Sequence, residues 1–196
     1  MDPHGTATDP LAPHIVRAAA GDREAFAVLV RHFQRPIFSF LGRMGLRQSE
    51  AEELAQEAFV RAWQHLGRYR FEQGAFSTWL YTIVRRLALN ELDRAERRWQ
   101  APAGDPAPDP ACDQPGPAQA LHLLQRQAAL QAALRRLPAD DRSVLALAYV
   151  HELSLADVAR LEGCSESAVK ARLHRARARL RDALSATDTP ATGASR

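Results

Sequence analysis

SLADVARLEGCSESAVKARLHRARARL (Ser154–Leu180) reads as a short helix, a tight turn and a second helix with a crowded positive face. Ser154 is placed to cap the first helix, with Asp157 three residues on as its capping-box partner. Gly163 stands where a helix end needs a left-handed residue, and Ser165 is placed to cap the helix that follows. At about 100° per residue, Val169, Leu173, Ala176 and Leu180 form one narrow apolar stripe on that second helix. The opposite side carries Ser167 and Ala171, both small, flanked by Lys170, His174 and Arg175. A helix with its back on a core and a small, basic front suits the major groove of DNA.

The 196-residue chain has a formal net charge of only +3, so the distribution of charge carries more than its sum. Lys170 to Arg181 holds six bases and no acid, whereas residues 101–118 carry Asp105, Asp109 and Asp113 and no base. That second stretch, APAGDPAPDPACDQPGPA, contains six of the twelve prolines and no large apolar side chain. It cannot bury enough surface to fold, and a flexible, acidic, Pro-rich linker is expected over 99–118. The small, polar ends, 1–13 and 186–196, are expected to be disordered tails. Two folded blocks remain, 14–98 and 119–185, both rich in Ala, Leu, Arg and Glu at helical spacing and without alternating strand patterns. The fold class is therefore all-α, in two small helical domains.

Two cysteines, Cys112 and Cys164, give neither metal-ligand spacing nor a disulfide framework, and the seven histidines are scattered singly. No metal and no cofactor are expected. No glycine-rich phosphate loop appears, which counts against a nucleotide-binding enzyme. With no apolar run of membrane-spanning length and no leading charged-then-apolar segment, a soluble, cytoplasmic protein without membrane insertion is expected.

In the first block, one helix should run Asp22–Arg43, capped by Asp22, with Pro36 bending or locally breaking it. A second should begin at Ser49, with Glu52 completing a capping box, and reach about His65. Its apolar stripe is Leu54, Ala58, Phe59, Ala62, Trp63 and Leu66, and its other face shows Glu53, Gln56, Glu57 and Gln64. A third helix, capped by Ser77, should extend to about Arg98 on Leu80, Ile83, Val84, Leu87 and Ala88. Its opposite face carries Trp79, Thr82, Arg86, Asn90, Arg94 and Arg97. An aromatic ring among cations suits DNA whose strands are being separated, since a ring replaces lost stacking while Arg holds phosphate; packing of Trp79 against a neighbouring helix, with the arginines a solvated face, stays equally open at this stage.

AEELAQEAFVRAW (51–63) with FSTWLYTIVRRLALNEL (76–92) resembles the helices of sigma domain two, and 137–181 resembles sigma domain four. Two such domains with a short linker resemble the extracytoplasmic-function (ECF) sigma factors of bacterial RNA polymerase. The resemblance implies a non-enzymatic initiation factor whose partners are core polymerase (β′ coiled coil and β flap), promoter DNA and an anti-sigma factor. It implies that Glu53, Gln56 and Glu57 dock on the β′ coiled coil. It assigns the −10 element to the loop Arg70–Ala75 and to Trp79, Arg86, Asn90, Arg94 and Arg97. The −35 element falls to Ser167, Lys170, Ala171, Arg172, His174 and Arg175. Where the family often has Gly-Thr before the Val of the reading helix, this chain has Ser167-Ala168, and Ala171 replaces a common Ser. Two other readings stay open at this stage: a helix-turn-helix regulator that never joins polymerase, and a helical adaptor or anti-sigma-like protein.

Overall fold

The computed structural model describes residues 10–70, 75–99, 126, 128–151 and 153–188. The regular structure of these residues is helical throughout: α1 (Ala12–Ala19), α2 (Arg23–Arg43), α3 (Gln48–His65), a 3-10 turn (Leu66–Arg68), α4 (Phe76–Trp99), α5 (128–135), α6 (Ala139–Tyr149), α7 (Leu155–Glu162) and α8 (Glu166–Asp188). Helices α1–α4 pack in sequence order as one unit, and α6–α8 form a second. The expected linker falls outside the described residues.

Most of the local reading holds. Asp22 Oδ1 accepts from the N–H groups of Glu24 and Ala25, ending the chain's turn out of α1 and starting α2. Ser154 caps α7, its Oγ accepting from Asp157 N–H at 3.1 Å while donating to the Asp157 carboxylate. Gly163 closes α7 at φ 66°, ψ 33°, a left-handed position that favours glycine. Ser165 Oγ accepts from Ala168 N–H and opens α8.

Four boundaries differ. Helix α1 begins at Ala12, two residues inside the stretch assigned to a disordered tail; Ile15 and Ala18, three apart, are buried against α2 and secure it. Helix α3 starts at Gln48, with Arg47 rather than Ser49 at its cap. Glu50 accepts both the Arg47 backbone N–H (2.9 Å) and its guanidinium, so one carboxylate outcompetes the Ser49–Glu52 pairing. Helix α4 starts at Phe76, placing Ser77 inside the first turn. Phe76 is buried against Phe33 and Tyr69, and that packing sets the start. At the other end, α8 continues to Asp188, into the expected tail.

Helix α2 passes through Pro36 without a break. A mid-helix proline costs about 3 kcal/mol. Buried Phe33, Ile37, Phe40 and Leu41 flank it, each contributing about 1.5–3 kcal/mol, which outweighs the lost hydrogen bond.

The two units are docked. One apolar core runs from Ile15 in α1 to Ala176 in α8, with α4 against α7 and α2 against α6. Gly45, after α2, has φ +90°, and a Cβ there would sit 2.7 Å from Arg142 Nη1 of α6. Glycine is favoured at that point by its conformation, and a Cβ would also displace the end of the Arg142 side chain.

Candidate polymerase and nucleic-acid interface

Three surfaces and one buried lock make up the site. On α3, Ala51, Leu54, Ala58 and Ala62 are buried, which turns Glu53, Gln56 and Glu57 to solvent together. Glu57 is ion-paired with Arg61 one turn on. Val60 lies among them at 55% exposure, an apolar residue the charge pattern did not single out. Its signal is its place on the polar face, off the buried stripe.

On α4, Thr82, Arg86, Asn90 and Arg94 are exposed, with Arg94 paired to Glu91 at 2.7 Å. Arg97 lies on the same helix; its side chain is outside the described residues. Trp79 does not stand free among these cations. It is half-buried, with its ring 5.5 Å from both Tyr69 and Phe76, because the aromatic cluster offers more apolar contact than the open face. Its remaining edge, with exposed Arg70, Thr82 and buried Thr78, lines a cleft of about 150 Å³. The Thr78 hydroxyl there has no hydrogen-bond partner. Residues 71–74 of the expected base-capturing loop lie outside the described residues.

On α8, Val169, Leu173 and Ala176 are buried against α6 and α7 with Leu180 half-buried, as the stripe requires. Ser167, Lys170, Ala171, His174 and Arg175 are all exposed on the far side. Arg172 departs from them. It is half-buried and turned inward to the Glu162 carboxylate.

That carboxylate is the centre of the lock. Glu162 ends α7 with its side chain only 1% exposed. It receives Arg172 from α8 and Arg85 from α4, the latter at 2.9 and 3.0 Å, and it lies 3.3 Å from the Ser143 hydroxyl. Arg85 also donates to Ser143 Oγ (3.0 Å) and Asp140 (2.7 Å). Burial pushes the Glu162 carboxyl above its usual range, and Arg85 and Arg172 pull against it. A short way along the same seam, the Tyr81 hydroxyl and His151 Nδ1 share a hydrogen bond of 2.7 Å, with Phe40 packed on both rings. Burial raises the Tyr81 phenol, which keeps its proton, and it lowers His151 to about 4 with help from Arg43.

With that geometry in place, comparison with known proteins is informative. The model for sigma-70 region 2 matches residues 29–98 and that for sigma-70 region 4 matches 127–180. The probable RNA polymerase sigma factor RfaY of Xanthomonas campestris is 36% identical over 92% of this chain and 46% of its own length. The ECF RNA polymerase sigma factor SigM of Mycobacterium tuberculosis is 36% identical over 87% of this chain and 80% of its own. Among solved structures, sigma factor RpoE in complex with the anti-sigma factor NepR from Bartonella quintana has the same fold. It aligns with a TM-score of 0.66 and 24% identity over 84% of this chain and 98% of that one. The chain belongs to the ECF RNA polymerase sigma factors. It directs RNA polymerase to initiate transcription at promoters, and sigma factors are initiation factors rather than enzymes. Among the described residues no helix is long and apolar enough to cross a membrane.

The neutral His151 has a measurable consequence. Its folded pKa of about 4 lies below the ordinary value of 6.5, so the unfolded chain binds more protons between these pH values. Its contribution to stability is present above pH 6.5 and is lost as pH falls toward 4. Urea unfolding at pH 7.5 and pH 5 should show a larger loss for the wild type than for His151→Gln. Equal losses in the two proteins would remove His151 from the seam's energetics.

Proposed function

We propose that this sigma factor works in the cytoplasm by dividing its tasks among the three exposed surfaces. Glu53, Gln56, Val60 and Glu57 on α3 engage the β′ coiled coil of core polymerase. Helix α4, through Arg86, Asn90 and Arg94, follows the −10 strand. The small cleft beside Trp79, Arg70 and Thr82 takes an unstacked base, with the unpartnered Thr78 hydroxyl as a donor for it. Helix α8 reads the −35 major groove through Ser167, Lys170, Ala171, His174 and Arg175, and the second unit meets the β flap. An anti-sigma factor that keeps the protein off polymerase belongs to the same reading, by likeness to the RpoE–NepR complex.

The observation that carries this reading furthest is the exposure of the α8 reading face together with the retention of Arg172 by Glu162. The −35 and −10 elements are about 25 base steps apart, roughly 85 Å at about 3.4 Å per step. Helix α4 packs on α7, which in turn packs on the reading helix α8, so the docked units cannot span both elements. The docked arrangement is therefore the resting one, and the units part on promoter DNA. From Trp99 to Arg126 there are 27 residue steps, enough to reach about 90 Å when extended. Parting takes Arg85 from Glu162 and leaves that carboxylate to Arg172 within the second unit, and it withdraws Arg160 of α7, which lines the base cleft in the docked state.

Three outcomes are expected. Glu57→Arg should keep normal helicity yet weaken pull-down of core polymerase, since charge reversal at an interface costs both association rate and lifetime; unchanged capture would reassign α3. Arg175→Ala should cost about 1–3 kcal/mol of binding by the −35 duplex if it reads a base, confined to promoters with that base. A loss equal on all sequences, with a shallower salt dependence, would make it a phosphate contact instead. Arg85→Ala, which leaves Glu162 with one cation, should shift the free protein toward the open form. Dyes on α3 and α8 should then show lower energy transfer than in wild type, and unchanged transfer would refute the lock.

A further inference from the structure

Beside α6, a cleft of about 540 Å³ opens between the two units. Its walls are apolar: Leu134 of α5, Leu145, Tyr149 and Val150 of the α6 segment, and Leu180 of α8. Three arginines also line it, Arg43 from α2, Arg142 from α6 and Arg177 from α8, and among the described residues no acidic one does. Arg177 lies over the Tyr149 ring, 4.9 Å from its centroid.

Arg142 sets this cleft apart from an ordinary surface groove. It is only 9% exposed, and its Nε has no hydrogen-bond partner. The acids beside it in sequence are committed elsewhere, Asp140 to Arg85 and Asp141 to Arg179. Its other close neighbours are Gly45 and another cation, Arg135. A buried guanidinium without a counter-charge is costly, and natural proteins seldom leave one so. The volume lies within the range of small-ligand sites, and apolar walls with a few convergent polar groups are the usual makeup of such sites.

We propose that this cleft binds a small anionic amphiphile, a medium-chain carboxylate, with its head on Arg142 between Arg43 and Arg177 and its tail along Leu134, Leu145 and Val150. The head supplies a counter-charge that none of the described residues gives, through charge-assisted hydrogen bonds to the Arg142 guanidinium. The tail covers apolar surface that is otherwise open to water. Because Arg43 belongs to the first unit and the remaining wall to the second, bound carboxylate favours the docked arrangement by mass action. Only this last consequence rests on the reading in which the units part; the binding itself does not.

The test is isothermal titration of the full chain with sodium decanoate below its micelle concentration, beside decan-1-ol and decyltrimethylammonium as neutral and cationic probes of the same length. Saturable binding of decanoate at one site is expected, about tenfold or more tighter than either control. Arg142→Met should lose about tenfold or more of that affinity. Val150→Trp, which fills the tail region from a partly exposed position, should abolish it while circular dichroism stays unchanged. If Arg142→Met does not fold, the comparison of probes and Val150→Trp decide the matter. Absence of saturable heat with decanoate, equal binding of decanol, or decanoate binding untouched by Val150→Trp would each overturn the proposal. None of these readouts involves polymerase or promoter DNA, so failure here leaves the transcription reading standing.

Discussion

The Glu162 carboxylate is a single anion in an almost closed space, and its charge is tolerable only because two guanidiniums reach it. One comes from α8 and holds the two helices of the helix-turn-helix together. The other comes from α4 and holds that motif to the first unit. One group thus serves both the internal geometry of the DNA-reading unit and its attachment to its neighbour. Losing Arg85 leaves Glu162 with Arg172 alone, so the attachment can be released without dismantling the motif.

The seam mixes two kinds of contact. Apolar packing of Phe40, Tyr81 and His151 supplies adhesion without direction, while the Arg85 fork on Glu162, Ser143 and Asp140 supplies register. Interfaces between domains of one chain resemble transient protein–protein interfaces, and charge-assisted contacts give them specificity more than raw strength. Such a seam suits the parting of the two units proposed above. The cleft lined by Arg142 lies at the same boundary, which is where ligand sites commonly form.

Much of the candidate site was legible before any coordinates. The caps at Asp22, Ser154 and Ser165 and the left-handed Gly163 are local chemistry, decided within a few residues, and they stand where their residue types require. The groove face of α8 and the acidic face of α3 follow from helical period alone, because burial of Val169 and Leu173, or of Leu54 and Ala58, dictates what faces outward. The misreadings have a common cause. Ser49 and Ser77 are plausible caps locally, but Glu50 and the buried Phe76 compete for the same helix starts with stronger interactions. Trp79 projects onto the cationic face of α4, yet a ring bends toward neighbours that a helical wheel does not contain.

The amino-acid sequence by itself determined an all-helical chain in two units, the polarity of each exposed face, and the class of protein that carries them, because period and capping act over a single turn or two. Only the tertiary structure decided that the units are docked, that Arg172 is held inward while its neighbours on α8 are exposed, and that Arg142 is buried with no acid among the described residues to meet it. Each of these depends on pairs far apart in the chain, such as Arg85 with Glu162 or Tyr81 with His151, whose mutual approach no local pattern encodes.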